Sequence, residues 1–332
     1  MHSAQHGKNF ALIGAGGYIA PRHMKAIRDT GNRLVAAVDK SDSVGVLDSF
    51  SKDIAFFTEF ERFDRHVEKL RRQKNDKKVD YVSICSPNYL HDAHIRFALR
   101  VGADAICEKP LVLNPWNVDA LAEIEQESRR RIYTILQLRV HPAIIALRDK
   151  VAAAPEGTHY SVDLTYMTSR GRWYFSSWKG DDPKSGGIAT NIGVHFFDML
   201  MWIFGSVRNY EVHQSHSTRM SGLLQLEKAD VSWFLSVAGE DLPQVAVNAG
   251  QSTYRSISVN GEEVEFSDGF TDLHTVVYQD ILAGRGYGVE AARPAIELVH
   301  RLRHLAPTRL PSADRHDLNR SNLYPLPGVR HG

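Results

Sequence analysis

The stretch Ile13-Gly-Ala-Gly-Gly-Tyr-Ile-Ala20 constrains the fold of this chain more than any other segment. It follows a short apolar run, Phe10 to Ile13, and opens a helix-like segment, Ala20 to Thr30, with Gly31 placed as the C′ residue. The spacing is not a clean G-x-G-x-x-G, because Ile19 holds the third position. Gly14-x-x-Gly17-x-x-Ala20 fits better, with a small residue where helix meets sheet. The physical demand is the same. Backbone must come close to a pyrophosphate at a helix N-terminus, and a side chain there would block it. Asp39 ends the next strand-like run, Leu34 to Val38, 22 residues beyond Gly17. That is near the ~20 expected of an acidic residue on a ribose 2′-hydroxyl. Its carboxylate repels a 2′-phosphate, which points to NAD rather than NADP; Lys40 is the one residue arguing the other way.

The alternation continues. Val79 to Cys85 and Ala103 to Cys107 read as buried strands, separated by a helix near His91 to Arg100. Asn114-Pro115 supplies an N-cap and a first-turn proline for a helix to about Arg131, and Tyr133 to Leu138 reads as a last strand. Strands alternating with helices imply parallel βαβ units. After about residue 155 the pattern changes. Tyr160 to Thr168 alternates, with Val162, Leu164 and Tyr166 on one face; Val231 to Val237 and Ile257 to Phe266 are similar. Asn260-Gly261 is a type I′ hairpin signal. Helices are expected from about Asn191 to Phe204 and across Asp272 to Leu305.

The expected fold is α/β: an N-terminal Rossmann domain over 8–138, then an α+β domain with a large, mostly antiparallel sheet over 139–305. A proline-rich extended tail covers 306–332, and Met1 to Lys8 is polar and expected to be disordered. At 332 residues two domains are the natural count. The formal net charge of +1 gives no global pull toward nucleic acid or anionic lipid. The basic stretch Arg62 to Lys78 also holds Asp64, Glu68 and Asp76, and reads as a solvated helix face and surface turn. Cys85 and Cys107, the only cysteines, lie in apolar runs and suit reduced core thiols in a cytoplasmic protein. No signal peptide, membrane-length apolar run or metal site is read from the sequence.

Two further motifs suggest chemistry. Ala105-Ile-Cys-Glu-Lys-Pro110 delivers Lys109 from the end of a strand into the crevice where such sheets bind ligands, and Pro110 restricts how Lys109 leaves the strand. Gly186-Gly-Ile-Ala-Thr-Asn-Ile-Gly-Val-His-Phe-Phe-Asp198 spaces Asn191, His195 and Asp198 so that helical geometry puts each neighbouring pair on one face. Gly187 and Gly193 would admit a close approach. A lone His195 is more often structural; its pairing with Glu108-Lys109-Pro110 favours chemistry.

Together these residues resemble the Gfo/Idh/MocA oxidoreductase family. Within it, Ala11-Leu-Ile-Gly-Ala-Gly-Gly-Tyr-Ile-Ala-Pro-Arg-His23, Ser83-Ile-Cys-Ser-Pro-Asn-Tyr-Leu-His91, Thr168-Ser-Arg-Gly-Arg-Trp-Tyr174, Ser177-Trp-Lys-Gly180, Thr190-Asn-Ile-Gly-Val-His195 and Thr253-Tyr-Arg-Ser-Ile-Ser-Val-Asn-Gly-Glu262 are similar to one branch. That branch is the UDP-N-acetyl-D-glucosaminuronate 3-dehydrogenases of O-antigen synthesis. The resemblance implies NAD-linked oxidation of the sugar C3 hydroxyl, with Lys109, His195 and Asn191 as catalytic residues. Asn191 stands where the family usually has aspartate. It implies cofactor contacts from Gly14, Gly16, Gly17, Tyr18, Ile19, Asp39, Ser86, Pro87, Asn88, His91, Glu108, Lys109 and Gln137. Substrate contacts are implied for Arg170, Trp173, Tyr174, Lys179, Asn191, His195, Tyr254 and Arg255. It also implies a homotetramer formed through the antiparallel sheet, Arg255 reaching a neighbour's site, and 2-oxoglutarate as the reoxidant used by some members. Two other readings stay open: another sugar or inositol dehydrogenase of the same family, and a nucleotide-sensing regulator that keeps the fold without chemistry.

Overall fold

The structure, a computed structural model, describes residues 7–73, 77–265 and 272–308. The expected N-terminal disorder and most of the 306–332 tail fall outside these residues, as does the end of the strand expected to reach Phe266. The chain divides into two compact units: Met1–Val140 with Gly269–Ile296, and His141–Asp268 with Glu297–Gly332.

The first unit runs β1 (Asn9–Ile13), α1 (Ala20–Asp29), β2 (Arg33–Val38), β3 (Ala55–Phe57), α2 (Phe60–Arg72), β4 (Tyr81–Ile84), α3 (His91–Arg100), β5 (Asp104–Cys107), α4 (Pro115–Ser128) and β6 (Ile132–Thr134). The strands pair in the order β3-β2-β1-β4-β5-β6, and every pairing is parallel. Such a sheet is covered on both faces, so its strands are continuous apolar runs rather than alternating ones. Accordingly all five residues of β1 are buried. The chain order reverses between β1 and β4, and the crevice beyond the strand C-termini at that point is where doubly wound sheets hold ligands.

Local chemistry sets the element ends. Thr30 caps α1 and Gly31 follows at φ 76°, the left-handed position a helix stop needs. On α2, Phe63, Val67 and Leu70 face the core while Arg71 and Arg72 both pair with Glu68, so the part of the basic stretch that lies on this helix is a solvated face. Helix α4 stops at Ser128, before the expected Arg131, because Arg129 turns left-handed at φ 52°. Strand β6 is shorter than Tyr133 to Leu138: beyond Thr134 the chain leaves the sheet and Gln137–Val140 forms a 3₁₀ turn. The helix Leu273–Leu282, assigned by sequence to 139–305, packs in this unit. Val277, Tyr278 and Ile281 join Ala26 and Ile27 of α1 and Phe10, Ile106 and Tyr133 in one core. Val289, Ala292 and Ile296 of the helix Val289–His304 join another.

In the second unit β7 (Tyr160–Thr168), β8 (Val207–Ser215), β9 (Arg219–Leu226), β10 (Ala229–Ser236), β11 (Thr253–Val259) and β12 (Glu262–Glu263) form a sheet ordered β12-β11-β7-β10-β9-β8. It is antiparallel except at its centre, where β7 and β10 run parallel. Asn260 and Gly261 turn β11 into β12 with φ 52° and 80°, as a type I′ turn requires. The helix Val194–Phe204 lies on one sheet face: Phe197 meets Trp233 edge-on at 5.2 Å, and Tyr166 meets Phe196 at 4.7 Å.

One expectation is corrected here. The sequence suggested no apolar run of membrane length, yet the consecutive helical turns from Asp182 to Phe204 make 23 residues of sufficient length and apolarity. Most of its apolar stretch is buried inside the protein, so its apolar character belongs to the core.

Candidate active site

Sheet register in the first unit lays the candidate residues in one row. Val38, Ile13, Ile84, Cys107 and Thr134 are successive register partners at the strand ends. Each strand then delivers its residue at the same edge: Asp39 after β2, Gly14 after β1, Ser86 after β4, Glu108 and Lys109 after β5, and Gln137 after β6.

The glycine turn is built against its neighbours. Gly14 has φ 90°, and a Cβ there would lie 2.7 Å from the Cys85 carbonyl and 2.8 Å from the Ser86 nitrogen. At Gly17 a Cβ would stand 3.1 Å from the Gly14 carbonyl oxygen. The Gly16 N–H donates to Asp39 Oδ2 at 2.9 Å and the Ser41 N–H to Oδ1 at 2.9 Å, which fixes the acid beside the turn. Ala20 is wholly buried at the helix–sheet contact, as its small size implied, while Tyr18 is exposed. Gln137 carries a buried Oε1 with no hydrogen-bond partner among the described residues. A glycine cradle at a helix start, a carboxylate at the second strand's end and an orphaned amide oxygen in the same row fit a dinucleotide such as NAD.

Beside the turn, the structure puts several predicted contact residues to internal use. Ser86 Oγ lies 2.7 Å from His94 Nδ1. His91 is buried with Nδ1 at 2.7 Å from the Pro110 carbonyl and Nε2 at 2.9 Å from the Ser86 carbonyl. Asn88 is buried as well. Glu108 accepts from His23 Nε2 and His274 Nε2, each at 2.9 Å on Oε1. Neither His94, His274 nor Tyr278 stood out in the sequence. Lys109 is half-buried, its N–H bonded to Glu108 Oε2 at 3.2 Å, and the Lys109-Pro110 peptide is cis. Cys85 and Cys107 are buried free thiols, and burial raises both well above the usual thiol range.

These histidines give the unit an acid-sensitive foundation. Burial, with the His91 charge adding to it, lowers His94 from 6.5 to about 4. Burial also lowers His23 and His91, against the pull of their acceptors. A base whose folded pKa is depressed contributes fully above its unfolded value, and that stability disappears as pH falls through the folded value. At about 1.4 kcal/mol per unit, His94 alone loses roughly 3 kcal/mol between pH 6.5 and about 4. We expect the urea midpoint to fall across that window and His94→Gln to flatten the fall. A midpoint unchanged from pH 7 to 4.5 contradicts this.

The second unit gathers the other candidates. Asn191 lies in a π-turn, Ala189–Gly193, that precedes the α-helix holding His195; the sequence had started that helix at Asn191. Such turns mark functional positions more often than ordinary helix does. Asn191 Nδ2 donates to the buried Tyr174 hydroxyl at 3.0 Å. Burial raises the Tyr174 hydroxyl despite that bond. Tyr166, not singled out before, stands edge-on to His195 at 6.2 Å, and the Arg255 guanidinium lies over the same Tyr166 ring at 6.0 Å. Tyr166 and Arg255 are register partners, so they share the helix-covered face. Tyr254 is the next residue on β11 and points to the opposite face, so it is separated from Arg255 and His195. Arg170 is exposed just beyond β7. Trp173 packs edge-on to Tyr174 at 6.0 Å, and Lys179 Nζ lies over Trp178 at 4.4 Å. Gly193 serves packing: a Cβ there would meet Leu235 at 2.7 Å and Phe197 at 2.9 Å.

Comparison with known proteins follows these two halves. Residues 8–135 match the profile "Oxidoreductase family, NAD-binding Rossmann fold", and residues 157–241 match "Oxidoreductase family, C-terminal alpha/beta domain". A Thermus thermophilus WlbA (WbpB) dehydrogenase solved with NAD and α-ketoglutarate is 50 % identical, with TM-score 0.88, over 94 % of this chain and 99 % of that one. Its structure with NAD and UDP-GlcNAcA is 49 % identical with TM-score 0.87, again over 94 % and 99 %. Among curated relatives, D-glucoside 3-dehydrogenase of Escherichia coli is 26 % identical over 41 % of this chain. The matches to the first three curated relatives span 30 %, 39 % and 61 % of those proteins' lengths. The chain belongs to the Gfo/Idh/MocA oxidoreductase family, with an NAD-binding Rossmann fold and a C-terminal alpha/beta domain.

Proposed function

We propose that this protein oxidises the C3 hydroxyl of UDP-N-acetyl-D-glucosaminuronic acid to the ketone, in the synthesis of an O-antigen sugar. The observation that carries the reading is 49 % identity over 94 % of the chain to a dehydrogenase solved with NAD and UDP-GlcNAcA. NAD, when bound, supplies the hydride acceptor. The chain's own residues handle the proton and the charges. Asp39 takes a ribose 2′-hydroxyl. His195 takes the proton of the sugar hydroxyl while Lys109 donates a hydrogen bond to the same oxygen and steadies the charge left on it. Asn191, braced by Tyr174, orients a neighbouring hydroxyl. Arg170, Lys179 and Arg255 offset the diphosphate and carboxylate, and Trp173 offers an exposed ring for stacking.

The test is absorbance at 340 nm with NAD and the UDP-sugar, with and without 2-oxoglutarate. We expect NADH formation, and sustained turnover with 2-oxoglutarate if the cofactor is recycled in place. The relative solved with α-ketoglutarate supports that second arm. No NADH in either arm, with NAD binding verified separately, overturns the reading. It would favour a free sugar or inositol, in line with the curated inositol 2-dehydrogenase of Rhizobium meliloti, 26 % identical over 59 % of this chain.

A further inference from the structure

Glu108 is the acidic residue of the Glu-Lys-Pro turn, and its carboxylate is 7 % exposed as a residue. Burial opposes its ionisation, yet the hydrogen bonds from His23 and His274, together with the electrostatic pull of the two rings, hold it well below the usual carboxylate range. An ionised carboxylate only accepts, so both Nε2 atoms carry protons. His23 Nδ1 lies 2.7 Å from the Tyr278 hydroxyl, which lies 2.6 Å from Ser83 Oγ. With His23 neutral, its Nδ1 accepts. The direction is then fixed: Ser83 donates to Tyr278, Tyr278 to His23, and His23 to Glu108. All five groups are buried.

The same three atoms could be imagined around a cation. Ligands of a tetrahedral zinc at about 2.0–2.1 Å lie about 3.3 Å apart. Both Nε2 to Oε1 distances are 2.9 Å, the length of a hydrogen bond. The cluster is a hydrogen-bond network.

What it holds is the Lys109 turn. Glu108 Oε2 accepts from the Lys109 N–H at 3.2 Å, so fixing the carboxylate fixes that amide. From the other side, His91 Nδ1 reaches the Pro110 carbonyl at 2.7 Å. A polar network this deep brings the fold little that apolar packing could not, because desolvation offsets its attraction. Its outlet is the one residue of the turn with a reactive side chain.

We propose that His274 and Tyr278, with His23, are positioning residues that act through the Glu108 carboxylate to aim Lys109, setting turnover rather than cofactor affinity. This rests on the role given to Lys109 above. In the full-length protein, His274→Leu is expected to lower kcat about 100-fold, the scale of a misplaced catalytic group, with KM and the NADH dissociation constant within about threefold. His274→Gln, whose amide can donate to the same oxygen, is expected to recover most of the loss. A readout independent of turnover is the acetic anhydride labelling rate of Lys109 with NAD present, read by peptide mass spectrometry. It should change at least about threefold in His274→Leu and return in His274→Gln. If His274→Leu melts, Tyr278→Phe gives the same comparison with ring packing kept.

Unchanged kcat and unchanged Lys109 labelling in a folded variant overturn the inference. So does a loss in which kcat, NADH affinity and melting temperature fall together without rescue by glutamine, which marks a merely structural role. Lys109→Ala is measured alongside. Full activity there sinks the role of Lys109 and this inference together. Loss there with full activity in His274→Leu sinks this inference alone.

Discussion

On the proposed function, Lys109→Met is expected to lower kcat with NAD and the proposed UDP-sugar by about 100- to 10,000-fold, the range for removing a general acid or base. Methionine keeps the stem and removes the donor. Lys109 sits half-buried between buried Glu108 and Pro110, so the loss has to come from the amine and not from a collapsed turn. NADH affinity should stay within about threefold, because a group acting on the reacting oxygen contributes mainly in the transition state. His195→Gln should fall in the same range. If both act on one proton transfer, the double variant will be little worse than the weaker single variant. Steady-state kinetics of the four proteins decides this. Near-normal turnover in both single variants removes Lys109 and His195 from the chemistry.

Gly14→Ala costs the first unit more than about 3 kcal/mol and abolishes cofactor binding. Two penalties add. At φ 90° an L side chain is strained by about 1–2 kcal/mol. The new Cβ would also stand 2.7 Å from the Cys85 carbonyl, which cannot retreat. Cys85 N–H is bonded to the Ile13 carbonyl at 2.8 Å, and β4 is locked to β1 along its length. Gly31 is the control. Its φ is 76°, but nothing lies within 4 Å of an added Cβ, so Gly31→Ala should cost only about 1–2 kcal/mol. Urea unfolding midpoints of the two variants separate strain from overlap. Equal losses would remove the close-approach argument.

The acid-sensitive foundation and the Glu108 network show why parts of the site were legible in the sequence and parts were not. The Gly14 to Ala20 turn and Asp39 could be read because their spacing is local and the backbone demand is specific. The same holds for Lys109, which follows an apolar strand and precedes proline. The Asn260-Gly261 turn was legible for the same reason. His274 and Tyr278 could not be read: they lie 166 and 170 residues beyond Glu108, on a helix whose pattern says only that one face is apolar. Tyr166 looked like one more residue of an alternating strand until pairing placed it between His195 and Arg255. The separation of Tyr254 from Arg255 follows from period-two alternation, but which face each takes depends on where the helix Val194–Phe204 lies.

Sequence by itself determined what short-range sterics and hydrogen bonding govern: the parallel βαβ order, the glycine cradle, the acid at the second strand's end and the catalytic pair as candidates. Tertiary structure alone decided what depends on long-range pairing. It put the helix Leu273–Leu282 in the first unit, turned Glu108 inward onto two histidines, ran β7 parallel to β10 and placed Asn191 in a π-turn. Each of these is settled by which distant apolar face or buried polar partner is at hand, and a local pattern of residues carries no record of that.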